Sequence, residues 1–273
     1  MRRFIRWVLI VLASLLVLAV GAAGGVYLLS ERVLGRIYDV PLEDIAVHTD
    51  AAHVAEGERL AFLRGCNGCH ELDLGGDVFF EEPGVGRLVA ANLTQVAATS
   101  TNAELARTIR HGVKRDGHAV FGMPSPMFYD LSDEDLGTII AYLRSLPRVD
   151  DPLPPFWVGP TGRLGLALGK FTPETDDVDH TRPRVPVEPR GRYLAATCCS
   201  ECHGADLKGD GIKTPDLGVV ASYSLPEFRV FMLTGMARGG RELRMMSGVA
   251  RWRFSHFRPD EVGALHAYLS GPR

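Results

Sequence analysis

The sequence has no surplus of positive charge. Its 30 Lys and Arg stand against 33 Asp and Glu, a net charge of −3 with a pI near 6.3, so no basic footprint for nucleic acid is present. It has only one long apolar run, which excludes a polytopic membrane protein. It is not short of core-forming side chains: 46% hydrophobic and 23% charged residues exclude a wholly disordered chain. It has only five cysteines, at 66, 69, 198, 199 and 202, an odd number that cannot all pair as disulfides. Against these lacks stand 30 Gly and 17 Pro, a sign of much loop. The length of 273 residues suggests about two domains.

The apolar run is Trp7 to Leu29, 23 residues without a charge. As a helix it reaches roughly 35 Å, enough to cross a bilayer core. Arg2, Arg3 and Arg6 precede it and favour keeping that end in the cytoplasm, although Arg32 and Arg36 follow it. The competing reading is a cleaved signal peptide, for which Ala19-Val20-Gly21 and Gly21-Ala22-Ala23 offer small residues. The run continues through Val26-Tyr27-Leu28-Leu29, longer than a signal core. The expectation is therefore a short cytoplasmic stub and uncleaved anchor over 1–29, with the bulk of the chain exported.

Cys66-Asn67-Gly68-Cys69-His70 and Cys199-Ser200-Glu201-Cys202-His203 are both C-x-x-C-H. Two thiols on one helical turn can each form a thioether with a haem vinyl group. The next residue, His, then supplies the proximal nitrogen to the iron. Zinc sites normally bring paired C-x-x-C motifs within a few tens of residues, whereas these lie 133 apart. Thioredoxin-type chemistry expects a βαβ pattern, and these flanks are Gly-rich. The motifs predict two covalently bound haem c groups, on Cys66, Cys69 and His70 and on Cys199, Cys202 and His203. Cys198 is left as a buried, inert thiol.

The motifs belong to a repeated unit. Gly57-Glu58-Arg59-Leu60-Ala61 matches Gly191-Arg192-Tyr193-Leu194-Ala195. Asp73-Leu74-Gly75-Gly76-Asp77 matches Asp206-Leu207-Lys208-Gly209-Asp210 at offset 133. Glu104, Gly112 and Gly117 match Glu227, Gly235 and Gly240 at offset 123, and Gly137 with Ala141-Tyr142-Leu143 matches Gly263 with Ala267-Tyr268-Leu269 at offset 126. Leu105, Ile109 and Val113 recur with helical spacing. Ser132 caps a helix with Asp133, Glu134 and Asp135 in its first turn, and Pro147 follows its end. A juxtamembrane segment over 30–50 is expected, then an all-α haem domain over 51–147, a linker over 148–190 and a second haem domain over 191–273. The linker holds eight of the 17 prolines and reads as irregular. Apolar Leu164, Leu166, Leu168 and Phe171 give it a means of packing on both units.

Haem iron in an electron carrier usually takes a second axial ligand, often a Met sulfur. In the offset-123 register Met123 falls on Met246, whereas Met127 falls on Ala250 and Met245 on Gly122. Met123 and Met246 are the expected metal ligands, with Met127 and Met245 as adjacent alternatives. His111 and His118 could also ligate the first haem, but Thr234 and Arg241 stand at the matching positions. They read as surface or propionate-side residues.

These residues resemble the membrane-anchored dihaem c-type cytochromes of bacteria, built from two class I cytochrome c domains. The chain is similar in particular to the cytochrome c subunits of periplasmic alcohol and related dehydrogenases. Asn92-Leu93-Thr94, Ile109-Arg110-His111-Gly112-Val113, Met123-Pro124, Leu131-Ser132-Asp133-Glu134-Asp135-Leu136 and Met246-Ser247 carry the resemblance with the two motifs. It implies Met123 and Met246 as distal ligands. It also implies that the first and last helices of each unit cross, with Gly57 near Tyr142 and Gly191 near Tyr268. Those subunits commonly carry three haem domains, and two are present here. The implied function is a relay of electrons, not an enzyme, between a periplasmic dehydrogenase or quinone-linked complex and a downstream acceptor such as a terminal oxidase. Its expected place is the outer face of the bacterial cytoplasmic membrane. The rival class is a dihaem peroxidase, which needs one iron with an open distal position.

Overall fold

The computed structural model of the chain describes residues 1–272. Helix α1 (Arg2–Leu34) contains the apolar run and continues past it. It is the one helix long and apolar enough to cross a membrane among the described residues, and none of its most apolar window is buried. The first unit follows as α2 (Ala51–Arg64), α3 (Cys66–His70), a β1 (Asp77–Glu82) and β2 (Gly86–Ala90) hairpin, α4 (Leu93–Thr99), α5 (Asn102–His111), α6 (Ser125–Phe128) and α7 (Asp133–Ser145). The second unit is α9 (Arg190–Cys198), α10 (Ser200–His203), α11 (Leu225–Thr234), α12 (Arg244–Trp252) and α13 (Pro259–Ser270), with α8 (Pro160–Ala167) between the units.

Local chemistry sets the helix ends, and it sets them alike in both copies. Thr101 and Glu104 form a reciprocal capping box at the start of α5, and Ser224 and Glu227 form the same box at the start of α11. Gly112 and Gly235 end these helices in the left-handed conformation. Asp50 caps α2 and Ser132 caps α7, each through its side-chain oxygen. The ten residues by which the offset falls from 133 to 123 are accommodated in the first unit, where the β1–β2 hairpin stands.

In each unit the first helix crosses the last at a glycine. A Cβ added to Gly57 would lie 2.1 Å from the Thr138 carbonyl oxygen and 2.8 Å from Tyr142 Cβ. At Gly191 the same atom would lie 2.1 Å from the Ala264 oxygen and 2.7 Å from Tyr268 Cβ. Only a residue without a side chain lets the two backbones approach this closely. One contiguous apolar core runs through both units, from Leu60, Leu136 and Ile140 in the first to Leu194, Phe254 and Leu265 in the second.

Residues 148–190 are more ordered than their proline content suggests. Trp157–Val158 form β3, which pairs antiparallel with β2 and completes a three-stranded sheet. Leu166 is buried, while Leu164 and Leu168 face solvent. Helix α8 packs on the end of α1: Arg163 donates to Ser30 Oγ at 2.9 Å and Glu31 Oε1 at 2.7 Å, and lies over the Tyr27 ring. Farther on, Arg182 makes a two-pronged pair with Asp130 at 2.8 Å on each side. The rings of Phe156 and Phe171 each lie 5.5 Å from that of Phe121, so the segment is fastened to the first unit by strand pairing, charge and aromatic contact. Residues 35–50 also join that unit. Ile45 is buried, and the Ala46 carbonyl sits where a Gly137 Cβ would be, 2.1 Å away.

Candidate haem sites

The two C-x-x-C-H turns are short helical turns placed directly after a longer helix. Gly65, at φ +83°, ends α2 and turns the chain into Cys66. In the second unit α9 ends at Cys198 and the turn α10 follows Cys199. No disulfide joins any of the five cysteines. Cys198 is buried, and the Arg64 guanidinium donates to its Sγ. Burial pushes its thiol pKa up despite Arg64.

Each motif histidine is oriented by a main-chain carbonyl. His70 Nδ1 lies 2.7 Å from the Ala91 oxygen, and His203 Nδ1 lies 2.9 Å from the Pro215 oxygen. A carbonyl can only accept, so Nδ1 carries the proton and Nε2 presents its lone pair. This is the second-sphere arrangement that fixes a metal-ligating imidazole. Burial lowers the pKa of His70 and keeps that ring neutral.

The loop after each motif repeats in detail. Gly76 N donates to His70 O at 3.0 Å, and Gly209 N donates to His203 O at 2.8 Å. Leu93 N donates to Leu74 O, and Leu217 N to Leu207 O, both at 2.9 Å. Leu74 and Leu207 hold φ of +57° and +61°, a region that costs a branched side chain energy. Both side chains are buried against the core. Strain of this kind persists only where the surroundings over-determine it, and here it recurs at matching positions in both loops.

Met123 and Met246 are both half-buried and packed against the common core. Met123 sits between Gly122, whose N–H donates to Glu174 at 2.8 Å, and the Pro124 that leads into α6. Met246 lies in the first turns of α12. Met127 is sealed in the core at 2% exposure, and Met245 is 78% exposed.

His111 corrects the expectation of a surface residue. It is buried, with Nδ1 2.8 Å from Nδ1 of His180 in the interdomain segment and its ring edge against Tyr129. Burial and the neighbouring His180 pull its pKa down to about 4. His118 is half-buried beside Asp116 at 3.3 Å. The pairing of His111 with His180, 69 positions apart, has no signal in the sequence. The same holds for Arg64 with Cys198.

Thiols on one turn, an imidazole with a free Nε2 and a half-buried thioether in each unit are a donor set that fits haem c. The sequence profile of the family described as Cytochrome c matches residues 54–147 and 189–271. The chain belongs to the cytochrome c family. Among curated proteins, this cytochrome is 23% identical over 267 residues to the "Alcohol dehydrogenase (quinone), cytochrome c subunit" of Gluconacetobacter polyoxogenes, covering 81% of this chain and 56% of that one. It is 25% identical over 282 residues to the "Gluconate 2-dehydrogenase cytochrome c subunit" of Pantoea cypripedii, covering 87% and 63%. The "Fructose dehydrogenase cytochrome subunit" of Gluconobacter japonicus is 23% identical over 269 residues, covering 84% and 54%. This cytochrome therefore spans between about half and two-thirds of the length of these relatives.

Proposed function

We propose that this cytochrome is a membrane-tethered dihaem electron carrier that takes electrons from a periplasmic dehydrogenase or quinone-linked complex and passes them to a downstream acceptor. The observation that carries the reading is the matched pair of attachment turns, each with its histidine held by a main-chain carbonyl. Cys66 and Cys69 hold one haem and Cys199 and Cys202 the other, in domains over 51–147 and 191–273. His70 and His203 are the proximal ligands. Met123 and Met246 are the distal ligands, supported by their register and by the burial of Met127 and exposure of Met245. When bound, the haem supplies a one-electron ferrous–ferric couple, whose ferrous form a Met ligand favours. The protein's part is to fix the imidazole tautomer, exclude water with the common core and leave neither iron an open position. That last point separates a carrier from the dihaem peroxidase reading.

Helix α1 anchors the chain in the bacterial cytoplasmic membrane with both domains on the periplasmic side. Arg2, Arg3 and Arg6 mark the inner end, and Arg163 ties the outer end to α8. The relatives are named as cytochrome subunits of dehydrogenases, which supports a dehydrogenase as the donor. The test is purification from membranes in mild detergent. Two haems per chain, both low-spin, an intact N-terminus and a co-purifying dehydrogenase are expected. A high-spin iron that turns over hydrogen peroxide refutes the carrier reading, and a mature start near Ala22 refutes the anchor.

A further inference from the structure

The two attachment turns meet at the domain interface, and one arginine of the second unit joins them. Arg253 is only 12% exposed at its side chain and uses all three guanidinium nitrogens. Nη1 pairs with Glu201 Oε2 at 2.8 Å, inside the second C-x-x-C-H. Nη2 donates to the Arg64 carbonyl at 3.1 Å and Nε to the Leu63 carbonyl at 3.4 Å, immediately before the first motif. The guanidinium lies against Gly65, the residue preceding Cys66. A Cβ there would stand 2.8 Å from its Cζ. Stacking of Phe62 on His256, with ring centroids 4.7 Å apart and planes within 9°, holds α2 against the turn that carries Arg253.

We propose that Arg253 is a positioning residue shared by both haem sites, clamping the second attachment turn onto the residues that lead into the first and placing one positive charge beside both turns. The proposal rests on the dihaem reading and deepens it by giving the side on which the sites communicate. In the relay one electron leaves the ferrous site and reduces the ferric one. No bond is made or broken and no proton moves. The planar guanidinium fork spans three acceptors on two chain segments, which the single ammonium of a lysine cannot do.

The test uses the full-length holoprotein in detergent. Spectroelectrochemical titration reads both midpoint potentials, and flash photoreduction reads the inter-haem rate. In Arg253→Met both potentials move down, because a positive charge that disfavours the ferric state is lost. The rate falls about tenfold or more as the turns lose register. In Arg253→Lys both potentials stay near those of the parent while the rate still falls. Glu201, more exposed, gives a variant that keeps the fold: in Glu201→Gln both potentials move up. A shift confined to the second haem in Arg253→Met or in Glu201→Gln, or no shift at all, overturns the proposal while two haems per chain leave the carrier reading standing. Fewer than two haems in the parent protein overturns both.

Discussion

The glycine crossings give the sharpest quantitative expectation. In Gly191→Ala the new methyl would sit 2.1 Å from the Ala264 carbonyl oxygen and 2.7 Å from Tyr268 Cβ, where ordinary contact begins at 3.4 Å. Both obstacles are backbone or its first side-chain carbon, so no rotamer change relieves them. Helices α9 and α13 must part by about an ångström, which puts the cost at the upper end of overpacking, about 3 kcal/mol. Alanine returns about 1 kcal/mol of helix propensity. The net loss is then about 2 kcal/mol, or a fall in Tm of about 4–8 °C for a globular part of this size. Gly57→Ala should behave alike. Gly263, inside α13, meets nothing within 4 Å. Gly263→Ala should therefore be neutral or stabilising by up to about 1 kcal/mol. Thermal and denaturant unfolding of the holoprotein, followed by circular dichroism, measures all three. If Gly191→Ala matches the parent, or Gly263→Ala loses as much as Gly191→Ala, close approach at the crossing is not what requires the glycine.

Other outcomes follow from the sites. Met123→Ala and Met246→Ala should each turn one haem high-spin at neutral pH and open it to carbon monoxide, read by absorbance; a spectrum and potential unchanged from the parent would remove that Met from the ligand set. The fold holds His111 neutral with its pKa pulled down from 6.5 to about 4 by burial and His180, so the unfolded chain binds its proton first. Its contribution is present above pH 6.5 and is lost as pH falls towards 4, on the order of 3 kcal/mol in all; His111→Gln should flatten that slope of unfolding free energy against pH. Arg64 has no exposed side-chain surface and pairs with Asp135 at 3.0 Å. Arg64→Met should destabilise by about 1–3 kcal/mol, because it leaves the half-buried Asp135 carboxylate with the Tyr193 hydroxyl but without its charged partner, and calorimetry should show it.

The attachment motifs were legible because the chemistry is local. Cys66, Cys69 and His70 fall on one turn, and their spacing alone puts two thiols and an imidazole on a single short helix. The repeat was legible for the same reason, since capping boxes and left-handed glycines work within a few residues of themselves. The Gly57 and Gly191 crossings came through only by the family resemblance, which implied each glycine near its tyrosine. Residues 148–190 stay largely irregular, but proline content reports only on local regularity and says nothing of β3 borrowing an edge of β2.

The sequence by itself determined the cofactor chemistry, the two copies and the apolar helix, because each is written in residues that act on near neighbours. It matched Gly137 with Gly263 as equivalents, yet the first lies against Ala46 and the second meets nothing. Only the tertiary structure decided that difference. It also decided that His111 is buried against His180 and that Arg253 reaches from one haem unit to the other. Those contacts join residues far apart in the chain. They depend on how two packed units meet, and no periodicity or spacing encodes that meeting.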